Sequence, residues 1–226
     1  MDDPDPAYGV FDTLLVRGGR AVDLDAHLGR LRRSVLELYA VRVDADELAA
    51  RVLAEAGGLD AARVRTSYEP DAEQWDVEAT RIEEPALDPR TLAPRRLEGG
   101  LGPHKWVDRR LVADPGEGDD VLVVDEDGFV LECGTANVFA LLGGEVVTPP
   151  LDGRILPGTV RARVLSRLRE RPVAVSERVI GLDELASAGE VFTTSSIRGV
   201  QPVTACLGVG SWPVGPTTTW LREALQ

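Results

Sequence analysis

Lys105 is the single lysine of a 226-residue chain in which lysine and arginine together number 25. Arginine therefore carries nearly all of the positive charge. A guanidinium stays protonated at any ordinary pH, so it cannot replace a primary amine in chemistry that needs a nucleophile or a proton acceptor. The segment "LGPHKWVDRR", residues 101–110, thus holds a candidate nucleophile. Taken alone, Lys105 is equally consistent with a solvated surface lysine.

A lysine that forms a Schiff base with a carbonyl cofactor such as pyridoxal phosphate needs three companions: an acid near the pyridine nitrogen, a cradle for the phosphate, and a pocket that keeps the amine reactive. The second half of the chain offers candidates. Glu132, in "VLECGTAN", ends an apolar strand where a carboxylate is costly to bury without a cationic partner, and a pyridinium is one; it also reads as an exposed hairpin glutamate. In "LPGTVR", Gly158, Thr159 and Val160 open a helix, where free N–H groups and the positive dipole end bind phosphate, although Thr159 also fits a plain N-cap. "TTSSIRG" sets the hydroxyls of Thr193 to Ser196 before Arg198, a composition suited to an oxyanion and also common in loops.

These residues require elements to hold them. "YGVFDTLLVRGGRAV" predicts an apolar strand from Val10 to Val16, a turn at Gly18 and Gly19, and a short return at Arg20 to Val22. Leu24, Leu28, Leu31, Val35 and Leu38 recur at helical spacing behind an Asp23 or Asp25 cap. A second helix runs from an Asp44 or Asp46 cap to Gly57 and Gly58, and "ARVRTSY" and "QWDVEATRIE" read as paired strands. Pro85, Pro89 and Pro94, then Gly99, Gly100 and Gly102, mark a boundary. The division expected is a subdomain at 1–98 and a cofactor-binding subdomain at 99–226, the latter opening on a helix that carries Lys105. Hairpins turning at Asp127-Gly128 and Gly143-Gly144, a helix from "LPGTVRARVLSRLRE", and a strand running into a polar loop at "EVFTTSSIRGVQPV" follow. This mixture predicts an α+β fold.

Composition narrows the function. The formal charge of −13 and pI near 4.6 argue against a general nucleic-acid or anionic-membrane surface. No apolar run nears the roughly 20 residues that span a bilayer. "MDDPDPAYGV" lacks a basic start and an apolar signal core, which leads to the expectation of a cytoplasmic protein. Cys133 and Cys206 stand alone, so neither a disulfide framework nor a metal site is expected.

Lys105, "LECGTANVF", "TPPLDGRILPGTVR" and "EVFTTSSIRGVQPV", in that order, with "YGVFDTLLVRGG" and the H-x-x-R-L helix of "LDAHLGRLRRS" before them, resemble the fold-type IV pyridoxal-phosphate enzymes. These are the branched-chain aminotransferases, D-amino-acid aminotransferases and aminodeoxychorismate lyases. The resemblance covers about residues 8 to 205. It implies a two-subdomain, D-amino-acid-aminotransferase-like fold with mixed sheets, packed helices and a barrel-like second half. It makes Lys105 the Schiff-base lysine, Glu132 the partner of the pyridine nitrogen, and Arg30 the arginine that reaches the phosphate. Gly158, Thr159 and Val160 fall on the phosphate turn, although the family more often reads G-I-T-R where this chain reads G-T-V-R. Ser196, with Ile197, falls where a threonine commonly holds the phosphate, and Asn137 matches an asparagine that fixes the loop. Asp12 replaces the family's usual glutamate. Only seven residues precede Tyr8, where the family has an initial strand pair, so the first sheet is expected to be trimmed or completed by a partner.

Within the family, "GPHKWVDRRLV", "LEGGLG" and "SSIRGVQPV" look most like aminodeoxychorismate lyases. Thr13 in "FDTLL" matches the threonine placed to assist pyruvate departure. Aromatic residues make up 5% of the chain, few for the side-chain pocket of a branched-chain aminotransferase. The resemblance thus implies release of pyruvate and 4-aminobenzoate, as in folate biosynthesis, with an aminotransferase acting on branched-chain or D-amino acids as the alternative. Arg198 is the candidate for a substrate carboxylate, followed by Arg65 and Tyr68. The family resemblance also implies a homodimer.

Overall fold

A computed structural model describes residues 3–83 and 88–225; Pro85 lies outside the described residues. The chain divides into two compact units, residues 3–83 with 104–109, and residues 88–103 with 110–225.

The first unit is a four-stranded antiparallel sheet covered on one face by two helices. Its elements are β1 (Val10–Arg17), β2 (Arg20–Ala21), α1 (Leu24–Tyr39), α2 (Ala45–Glu55), β3 (Ala61–Glu69) and β4 (Gln74–Arg81), with strand order β2-β1-β3-β4. Gly18 and Gly19 both take positive φ, 56° and 70°, the conformation a tight hairpin turn demands. Successive strand side chains alternate between faces. Val10, Leu14 and Val16 of β1 and Ala62, Val64 and Tyr68 of β3 accordingly join Leu28, Leu31, Val35, Leu48 and Val52 of the helices in one core. Asp44 caps α2, accepting from the N–H groups of Asp46 and Glu47. At α1 the expected cap is not made: Asp23 sits at the cap position with φ 53° and no capping side-chain hydrogen bond, while Asp25 lies inside the helix.

Lys105 is not on a helix. Residues 104–107 form no helix and are bound to the start of β1: Phe11 N–H donates to the Lys105 carbonyl at 2.8 Å, Val107 N–H donates to the Gly9 carbonyl at 3.0 Å, and Trp106 bridges Val10. Pro103, which disfavours helix at Gly102, and this sheet pairing together overrule the helix expected there. The pairing also takes the lysine into the first unit, whereas the sequence division at residue 98 assigned it to the second.

The second unit contains β5 (Arg90–Arg96), β6 (Asp120–Val124), β7 (Val130–Cys133), β8 (Asn137–Leu142), β9 (Glu145–Thr148), α3 (Thr159–Arg169), β10 (Ala174–Glu177), α4 (Leu182–Ala186), β11 (Glu190–Ser195), β12 (Gly199–Cys206), β13 (Gly210–Ser211) and α5 (Pro216–Ala224). The strands form one mixed sheet in the order β10-β9-β8-β11-β12-β5-β6-β7, with β13 on β12. The sheet curls until its ends approach: Phe129, before β7, bridges Gly181, after β10, and Val130 N–H donates to the Ile180 carbonyl at 2.8 Å. This is the barrel-like second half. Val138, Ala140, Val147, Val191 and Val203 fill its inside, while Phe139 and Phe192, stacked at 5.0 Å, meet α3 and α5 outside. Gly128 (φ 86°) and the pair Gly143 and Gly144 turn the two expected hairpins.

Two strands depart from the sequence reading. β5 contains Pro94 yet lies between β12 and β6; its pairing with β12 ends at Leu92, so the proline falls where that edge has no described strand beside it. β12 continues through Pro202, so the expected polar loop is only the turn at Ser196 to Arg198. No helix of the described residues is long and apolar enough to cross a membrane.

Candidate active site

The first unit gathers several of its candidate residues on the sheet face opposite the helices. His104 is hydrogen-bonded through Nδ1 to the Ser34 hydroxyl of α1 at 3.0 Å, and Trp106 joins the helix-side core. Lys105, between them in the chain, points the other way. Its Nζ lies 5.0 Å from the centroid of the Phe11 ring. The Arg65 guanidinium lies 3.8 Å from the same centroid, and Thr13 is the direct cross-strand partner of Arg65. Phe11, Thr13, Arg65 and Lys105 therefore share one face. The side chains of Thr13, Arg65 and Lys105 are each partly exposed.

Asp12 points to the helices and is buried. Its carboxylate accepts from His27 Nδ1 at 2.7 Å and from Arg30 Nε and a terminal nitrogen at 2.9 Å each. Burial alone would raise the Asp12 pKa, but the Arg30 charge and the hydrogen bonds from His27 and Arg30 outweigh it and hold the carboxyl far below the usual range. Asp12 Oδ1 also accepts the Thr13 N–H at 2.6 Å. This contact fills a gap. The 104–107 segment serves β1 only as far as Phe11 and β2 begins to serve it at Leu15, leaving Thr13 between them. The short aspartate reaches the next residue's N–H.

Arg30, expected to reach a phosphate, thus donates two hydrogen bonds to Asp12. Tyr68, expected beside the substrate, is 1% exposed and packs between Tyr39 and Trp75 at centroid distances of 5.3 and 4.9 Å. The strand pleat puts residues 65 and 68 on opposite faces, so Tyr68 is a core residue and does not accompany Arg65.

In the second unit Glu132 is 4% exposed. Both of its oxygens accept from the Leu156 N–H at 3.2 Å, and Asn137 Nδ2 approaches Oε2 at 3.4 Å. Asn137 also donates to the Leu156 carbonyl at 2.9 Å. Its amide packs so tightly on the start of α3 that a Cβ at Gly158 would lie 2.0 Å from Asn137 Oδ1, which explains the glycine. Gly158 is the N-cap of α3 and makes no side-chain cap hydrogen bond. Thr159, expected as a possible cap, lies within the helix, and both it and Val160 are buried.

Asn137 also stands opposite Thr194 in the β8–β11 ladder. The start of α3 and the end of β11 therefore converge on one asparagine. Thr194 Oγ1 is buried without a hydrogen-bond partner among the described residues. Ser196 and Ile197 are partly buried in the β11–β12 turn, whereas Arg198 is exposed there, its carbonyl accepting from Gln201 Nε2 at 3.2 Å.

Sequence reasoning left His27 and Phe11 without roles and offered Thr194 only as one of four hydroxyls suited to an oxyanion. A signal for the first existed: Asp12 is the lone acid in "VFDTLLV", and a buried carboxylate demands donors, which His27 and Arg30 supply three residues apart on one helix face.

Residues 66–206 match the amino-transferase class IV family. Over 110 residues, 48% of this chain, the sequence is 36% identical to branched-chain-amino-acid aminotransferase-like protein 2 of Arabidopsis thaliana, of which it covers 20%. Among solved structures, a fold IV transaminase from Curtobacterium pusillum aligns at 28% identity and a TM-score of 0.83, over 96% of this chain and 85% of that one. The 4-amino-4-deoxychorismate lyase of Pseudomonas aeruginosa aligns at 26% identity and a TM-score of 0.78, over 97% and 90%. With more than half its length matched by the family model, the chain belongs to the class IV aminotransferases, a pyridoxal-phosphate-dependent family of fold type IV.

Proposed function

We propose that this protein is a pyridoxal-phosphate-dependent 4-amino-4-deoxychorismate lyase, releasing pyruvate and 4-aminobenzoate. The residues of each unit fit parts of that cofactor. In the second unit, among the described residues, the start of α3 has no capping side chain, and beside it Thr194 keeps a buried hydroxyl without a partner; a phosphate supplies acceptor oxygens for both. Glu132 is a buried carboxylate suited to hold a protonated ring nitrogen. In the first unit, Lys105 offers the primary amine. When bound, pyridoxal phosphate supplies a carbonyl for an amine and a ring that withdraws electrons.

The observation that carries the lyase reading is Thr13, whose side chain shares the Lys105 face while Asp12 fixes its backbone. Lys105 Nζ takes the ring proton beside the substrate nitrogen. The ether bond to the enolpyruvyl group breaks as the ring becomes aromatic, and the Thr13 hydroxyl supplies the proton that the departing group needs to become pyruvate. Arg30, with Asp12 as its partner, and Ser196, with Ile197, are assigned to phosphate binding by resemblance. That resemblance also supports a cytoplasmic homodimer serving folate biosynthesis.

A second reading, an aminotransferase acting on branched-chain or D-amino acids, is favoured by the 36% identity to a branched-chain-aminotransferase-like protein. The products separate the two. Cofactor-loaded protein given aminodeoxychorismate is expected to form 4-aminobenzoate and pyruvate in equal amounts without a keto-acid acceptor. Amino transfer from D-alanine or a branched-chain amino acid to a keto acid, with aminodeoxychorismate unchanged, would establish the second reading instead.

A further inference from the structure

Arg65 differs from the other partly buried arginines of the molecule. Arg30 is held by Asp12, Arg95 by the Leu111 carbonyl, Arg154 by Asp125 and Asp152, and Arg161 by Glu177 and the Pro149 carbonyl. Arg65 lies on Phe11, and among the described residues its guanidinium makes no hydrogen bond or ion pair. Glu78, opposite it on β4, and Asp76 act on it only as exposed charges at a distance, and Arg63 repels it. Partial burial is the main influence on Arg65, lowering its pKa. A guanidinium that has lost water without gaining an acceptor is unfavourable. Its contact with the aromatic ring is a cation–π one that uses none of its N–H donors, which can still serve a planar acceptor.

Arg65 stands directly opposite Thr13 in the β1–β3 ladder, and directly opposed residues of an antiparallel pair have Cβ atoms about 5 Å apart on one face. We infer that Arg65 is the specificity-determining anchor for the carboxylate of the departing enolpyruvyl group, so that the site selects substrates carrying a carboxylate at that position over those with only a ring or α-carboxylate. The inference rests on the lyase reading for its choice of ligand. Chemically it joins two tasks on neighbouring strands: Arg65 holds the leaving group by its carboxylate, in the bidentate geometry that suits guanidinium, while Thr13 meets the carbon that must be protonated.

The probes are chorismate, which carries the enolpyruvyl carboxylate but no amine, and 4-hydroxybenzoate, which lacks the enolpyruvyl group. Calorimetric titration of the full chain, with and without pyridoxal phosphate, is expected to show tighter binding of chorismate. Arg65→Gln should weaken chorismate binding roughly 10–100-fold, the range for a hydrogen-bonded charge pair, and leave 4-hydroxybenzoate unchanged. Arg65→Lys, which keeps the charge and loses the fork, should fall between. In turnover, Arg65→Gln should raise KM far more than it lowers kcat. Equal affinity of Arg65→Gln and wild type for chorismate, or equal losses for both probes, would overturn the anchor. Chorismate discrimination by a protein that fixes no cofactor on Lys105 would retain the anchor and remove the lyase reading; loss of discrimination in a protein loaded on Lys105 would do the reverse.

Discussion

Asp12 and Thr13 are consecutive residues of one strand, and the pleat sends them into opposite surroundings. On the helix side, Asp12 is saturated with donors from His27, Arg30 and the Thr13 backbone. On the other side, Thr13 shares a face with a lysine amine and a guanidinium that has no acceptor among the described residues. A charge satisfied within the fold contributes to stability and register, whereas a polar group left for a ligand contributes to chemistry. On the proposed function one strand carries both roles, one per face, and substitutions at the two positions should separate them.

The largest expected effect is on rate. Thr13→Ala should slow pyruvate release about 10²–10⁴-fold, the contribution of a positioned proton donor, with thermal unfolding unchanged; stopped-flow product assays and a melting curve measure both. A destabilised Thr13→Ala with normal turnover would erase the contrast between the faces.

Asp12→Ala should act the other way, costing about 3–5 kcal/mol of stability because it strands a buried guanidinium, as read from urea unfolding. The Asp12 pKa is lowered in the fold, so its stabilisation is complete above the unfolded carboxyl value of 3.8 and is lost as the pH falls from there toward the depressed folded value. Wild type should therefore lose stability below about pH 4 more steeply than Asp12→Asn. Parallel acid profiles would show that Asp12 is not held as described.

What was legible in the sequence followed from local chemistry. Gly18-Gly19 and Gly143-Gly144 marked hairpins because few other residues accept positive φ, and Leu28, Leu31 and Val35 marked the buried stripe of α1. The ordered motifs from Lys105 to "TTSSIRG" were enough to indicate the family. What stayed hidden depends on partners distant in sequence. The non-helical state of Lys105 is imposed by Gly9 to Phe11, nearly a hundred positions away, and β5 is held by strands that tolerate Pro94 only because one edge is unpaired. Tyr68 and Arg65 looked like companions in "VRTSY" because the list of residues does not show the pleat. Among the candidate site residues, Glu132 and Gly158 were singled out by residue type, but the convergence of α3 and β11 on Asn137 required the ladder register.

The central claim is that the lone lysine is the residue that takes the cofactor. Borohydride reduction of the protein incubated with pyridoxal phosphate, followed by peptide mapping, tests it directly. The cofactor's mass should be fixed on the peptide bearing Lys105 and absent from Lys105→Arg protein of unchanged fold. Cofactor fixed elsewhere, or none fixed at saturating concentration, would contradict the account.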